Sequence, residues 1–178
     1  MKSIKIEGLE PKKEMKSKRL FKTSLAITLI VFAFTMSSPS SFFQIVKPAE
    51  AAGTLTSVAI LPSNNIVNTR TTYDIIFKTA TTATIKTIQL DFETRFDVSA
   101  ATRLIERSGI GSGSLSAPSK TTLIYTVSSP VSVPAGTTIR LEIARIVNSN
   151  FAASFKVTIT TKNTSGGTID GPTLSPAF

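Results

Sequence analysis

Three carboxylates, Asp91, Glu93 and Asp97, form the one tight acidic group in the 178-residue chain. Such oxygens could bind Ca²⁺, which takes about six to eight ligands. Arg95 stands among them, so the competing reading is a solvated face with local ion pairs. A glycosidase built on paired carboxylates would lack a sugar platform, because the chain has no Trp and two Tyr. Ser119 and Lys120 could form a nucleophile–base pair if the Lys were desolvated. As neighbours on a strand, however, they would face opposite sides. The absence of His and Cys removes the imidazole base, the thiolate, the Ser-His-Asp triad and the usual zinc ligands. Gly109-Ile110-Gly111-Ser112-Gly113 has the composition of a phosphate loop, but Ser and Pro follow it where a helix is required. A flexible hairpin loop is expected there. No residue is assigned a catalytic role, and no cofactor is expected other than Ca²⁺.

The net charge of +9 invites a nucleic-acid reading. Residues 1–51 carry nine basic and four acidic groups, whereas residues 52–178 carry eleven and seven. Arg95, Arg103, Arg107, Arg140 and Arg145 are interleaved with acids rather than gathered into a basic patch, so no nucleic-acid partner is expected. Eight basic residues precede position 23 and lead into an uncharged apolar run over residues 23–36. A basic segment, an apolar run and the small-residue site Ala49-Glu50-Ala51 are the parts of an export signal. Fourteen helical residues span roughly 21 Å, short of the ~30 Å hydrocarbon core. Cleavage after Ala51 is therefore expected, leaving Ala52 first. If residues 23–46 are read as one segment, the alternative is an uncleaved membrane anchor. Contact with the membrane is expected only through this N-terminal segment.

From Ala52 onward the elements change character. Thr and Ser supply 38 of 127 residues, a composition that suits the outer faces of strands. Alternation with period two marks residues 71–79, 87–92, 122–127, 137–147 and 154–160. It points fifteen side chains inward: Tyr73, Ile75, Phe77; Ile88, Leu90, Phe92; Leu123, Tyr125, Val127; Ile139, Leu141, Ile143; Phe155, Val157, Ile159. Residues 54–61 form a first strand stopped by Pro62. Residues 99–107 read as a strand or an irregular connection, with a short helix as the alternative. Turn residues separate the segments. The expected fold is all-β: an antiparallel sandwich over residues 52–178, with a flexible tail from about residue 166, behind an N-terminal signal or anchor helix over residues 1–51. Asn163-Thr164-Ser165 is an N-x-S/T sequon in an expected loop, so Asn163 is a glycosylation candidate.

The succession TYDIIFKT, IKTIQLDFETRFDVSAA, SGIGSGSLS, LIYTVSSPVSVPAGTTIRLEI, FKVTITTKN and IDGP resembles exported immunoglobulin-like modules of bacterial and archaeal cell-surface proteins. The resemblance covers roughly residues 54–172. It implies an immunoglobulin-like sandwich of about seven strands, a secreted or cell-surface location and a structural, adhesive or assembly role. It implies no catalytic residues. Partners would be other cell-surface proteins or further copies of the chain, joined through strand edges. The alternative is a carbohydrate- or calcium-binding surface module, with Phe96 as the exposed aromatic beside the acidic group.

Overall fold

The computed structural model describes residues 51–178, so the signal segment, the anchor alternative over residues 23–46 and Ala49 lie outside the described residues. Every regular element described is a strand. One sheet has the order β1 (Thr56–Pro62), β2 (Arg70–Lys78), β9 (Thr138–Val147), β5 (Arg103–Ser108). The other runs β11 (Thr168–Leu174), β10 (Val157–Lys162), β4 (Thr87–Phe92), β7 (Thr122–Val127), β6 (Gly113–Ser116). A two-residue pair, β3 (Ala83–Thr84) with β8 (Ser132–Val133), lies apart from both. All named strands pair antiparallel.

Alternation is the cause of this arrangement. All fifteen side chains expected inward are buried, and they form one apolar cluster drawn from both sheets. The Tyr73 ring of β2 meets the Phe92 ring of β4 edge-on, with centroids 5.9 Å apart, which places the two sheets face to face. The outward positions carry the polar groups. On the first sheet, Arg140 gathers three of them, with Asp74 at 2.8 Å, Glu106 at 2.6 Å and Glu142 at 3.7 Å.

Eleven strands are described where the sequence suggests about seven. Residues 103–108 are an edge strand rather than a helix, with Leu104 packed on the core and Ile105 exposed. The Gly109–Gly113 segment is not a hairpin loop, because β5 and β6 belong to different sheets and the segment crosses between them. Gly113 is required there. A Cβ on it would strike the Thr126 carbonyl and come within 2.8 Å of the Tyr125 ring. The expected tail from residue 166 is instead β11, paired with β10 from Lys162↔Thr168 to Thr158↔Leu174. Gly171 and Pro172 hide it in the sequence, and edge position is what lets a strand hold a Pro.

Strand β9 departs from strict alternation at one point. Thr71 pairs with Ile146 and Tyr73 with Ile143, so β9 spends one residue more than β2. The extra residue forms a bulge in which Arg145 takes φ +69° and points outward, and Ile146 returns to the core. Two substitutions separate core from bulge. Leu141→Ala should cost about 2–5 kcal/mol in urea unfolding. Arg145→Gly should leave stability unchanged or raise it by about 1 kcal/mol, because Gly accepts the left-handed backbone without strain.

Candidate functional site

The residues with chemical potential do not converge. Strand β4 ends at Phe92, so Glu93 lies past the strand rather than beside Asp91 on one face. Asp91 accepts hydrogen bonds from Gln89 Nε2 at 2.8 Å and Thr122 Oγ1 at 2.9 Å. Glu93 Oε1 accepts from the Lys156 amide at 2.8 Å. Asp97 Oδ1 accepts from the Ser99 amide at 2.9 Å and the Ser99 hydroxyl at 2.5 Å. Each carboxylate thus fastens a different neighbour, and no group of three or more acidic side chains suited to a metal occurs among the described residues. Phe96, the aromatic expected beside them, is buried against Tyr73, Phe92 and Phe155.

Ser119 and Lys120 lie in the turn between β6 and β7. The Ser119 hydroxyl accepts from the amides of Thr121 at 3.2 Å and Thr122 at 2.9 Å, and both residues are exposed. The Gly-rich crossing is stapled by the Tyr125 hydroxyl, which donates to the Gly111 carbonyl at 2.6 Å. Arg140 is held by its three carboxylates, and its guanidinium is raised above the ordinary Arg value, first by the hydrogen bond to Asp74. Arg95 lies over the Phe151 ring at 4.1 Å. Asn163 closes the β10–β11 turn, where its Oδ1 accepts from the Ser165 amide at 3.0 Å, the Ser165 hydroxyl at 2.7 Å and the Gly167 amide at 2.9 Å.

What sequence reasoning missed is an aromatic cavity of about 150 Å³ at one end of the sheets. Tyr73, Phe96, Phe151, Phe155 and Phe178 line it together with Asn148. The Tyr73 hydroxyl donates to Asn148 Oδ1 at 2.7 Å, while Asn148 Nδ2 donates to the carbonyls of Asn64 at 3.1 Å and Ile66 at 2.9 Å. One amide therefore ties β2 to the end of β9 and to the β1–β2 loop. Burial pushes the Tyr73 phenol well above its ordinary value, so it serves here as a neutral donor. The four-residue spacing of Phe92 and Phe96, repeated in Phe151 and Phe155, was the available signal. It did not reveal that the two pairs meet.

No family model matches the chain, and no curated protein matches its sequence. The geometry therefore stands alone. It offers polar groups that knit loops to strands and an apolar cavity at one end.

Two predictions follow from these contacts. Tyr73→Phe should cost about 1–3 kcal/mol by denaturant unfolding, because it leaves the buried Asn148 oxygen without its donor. Asp97 bears on acid stability. The Ser99 hydrogen bonds hold its carboxyl below the ordinary value. A carboxyl depressed on folding stabilises the native state above its unfolded value of about 3.9, and the contribution fades as pH falls through the folded value. The melting-temperature difference between the parent and Ser99→Ala should therefore be present at neutral pH and shrink as pH falls below the unfolded carboxyl value of about 3.9.

Proposed function

We propose that the chain is a non-enzymatic exported β-sandwich of the cell surface or envelope, acting in structure, adhesion or assembly. The observation that carries this reading is how the chemically capable side chains are used. Asp91, Glu93, Asp97, Ser119, Tyr73 and Arg140 each hold a strand or a turn in place. The basic, apolar and Ala49-Glu50-Ala51 segments ahead of the sheets support export.

Strand order supports the immunoglobulin-like reading. When the β6–β7 hairpin and the β3–β8 pair are set aside, seven strands remain in the orders β1-β2-β9-β5 and β11-β10-β4. Those orders correspond to the ABED and GFC sheets of a constant-type immunoglobulin domain. The hairpin then extends the second sheet beyond its C-equivalent strand.

Association would run through sheet edges. Strands β5 and β6 flank a groove of about 420 Å³ lined by Leu104, Ile105, Glu106, Arg107, Ser112 and Gly113. Ile105 is 49% exposed there, beside charges of both signs. A partner strand could take the free backbone groups of β5, with Glu106 and Arg107 limiting which strands fit.

Cell fractionation with intact-mass measurement of the natively expressed protein tests the reading. A chain of residues 52–178 in the envelope or medium is expected. The full-length chain recovered soluble from the cytosol would refute it.

A further inference from the structure

Asp170 sits on β11 with no solvent exposure. Its Oδ2 accepts from the amides of Ala80 at 3.1 Å and Thr81 at 3.4 Å. Its Oδ1 is buried and has no hydrogen-bond partner among the described residues. Nor does a cation reach it, since the ion pairs among the described residues all converge on Arg140. Buried carboxylate oxygens in native proteins are ordinarily paired, because an unpaired one forfeits its solvation without return.

The backbone beside the unpaired oxygen belongs to Gly53. Gly53 and Asp170 form a parallel bridge, with the Gly53 amide donating to the Ile169 carbonyl at 3.0 Å and the Gly171 amide donating to the Gly53 carbonyl at 2.7 Å. A Cβ on Gly53 would overlap Asp170 Oδ1 and stand 2.7 Å from Thr81 Oγ1. Two acceptor oxygens thus crowd the Gly53 α-carbon, one residue from the site where export processing would cut.

We propose that the α-ammonium of Ala52, freed by cleavage after Ala51, is the missing partner of Asp170 Oδ1, with Thr81 Oγ1 beside it. The proposal rests on the export reading above. A host leader peptidase would add one water across the Ala51–Ala52 bond. The carboxylate stays on the leader, and the Ala52 nitrogen gains the protons that make it an ammonium. Before cleavage that nitrogen has a single N–H and no charge. After cleavage it has three donors and a positive charge. Rotation about the Ala52 Cα–C bond can reorient it while both Gly53 backbone bonds stay in place. Processing would then complete the buried site and lock the new chain end against β11.

The test starts from the full-length chain expressed with its leader in an exporting bacterial host. Intact mass of the exported product gives its first residue. The product is then pulsed at neutral pH with an N-hydroxysuccinimide acetylating reagent, both native and in urea. Labelling of the α-amine is compared with that of exposed Lys78 and Lys120. The expected product begins at Ala52, and its α-amine reacts about tenfold more slowly in the native state, the effect of one pKa unit of added protonation. The two Lys should change little. Asp170→Asn should abolish the protection. If that variant does not fold, the native-to-urea ratio of the parent decides alone. Equal reactivity in both states at a confirmed Ala52 terminus would overturn the ion pair and leave the export reading intact. A mass showing any other first residue on the exported product would overturn the ion pair alone, and full-length chain recovered only from the cytosol would overturn both.

Discussion

Every other feature of this domain hangs on the burial of alternate side chains between two facing sheets. The interior strands β2, β4 and β9 each present large apolar groups at every second position. Ile75, Phe77, Ile88, Leu90, Ile139, Leu141 and Ile143 have no solvent exposure. Because the strand period is two, a one-residue slip would turn these groups to solvent and bring Asp74, Gln89 and Arg140 inward. That penalty fixes register without a disulfide, which a chain lacking Cys cannot form. The interruption within β9, the Arg145 bulge, works under the same constraint, since it is what returns Ile146 to the core.

Around that core, polar side chains hold loops and turns to the strands. Asn148 and Tyr73 tie the β1–β2 loop at one end, and Tyr125 holds the crossing between sheets. Glu93 holds the start of the segment leading into β10, and Asn163 shapes the β10–β11 turn. The free edges of the sheets are blunted by ordinary means: Pro172 on β11, charged residues on β5 and the four-residue length of β6. Indiscriminate strand pairing is thereby discouraged.

Much of the core was legible from period alone. Strands β4 and β7 keep the bounds that alternation assigns to them, since each is central and carries three inward apolar groups in six residues. The edges were not legible. Strand β6 reads GSLS and β11 reads TIDGPTL, and neither shows enough hydrophobic contrast to stand out from a loop. Strand β5 was ambiguous because Leu104 and Ile105 are adjacent, and the pairing with β9 that makes the segment a strand, with one on the core and the other in solvent, is a tertiary effect. The candidate sites fared likewise. Asp91, Glu93 and Asp97 are close in sequence, but the end of β4 sends them to separate partners. The aromatic cavity and the buried Asp170 draw on residues far apart in sequence, so spacing alone could not assemble them.

Native-state amide hydrogen exchange tests the central claim most directly, because it reads the cohesion of each strand separately. The account predicts that amides of β2, β4, β7, β9 and β10 exchange together, only through global unfolding, while those of β5, β6 and β11 open sooner. Fast, uncorrelated exchange in β4 and β9 would contradict it, since two sheets locked by a shared apolar layer cannot open one central strand at a time.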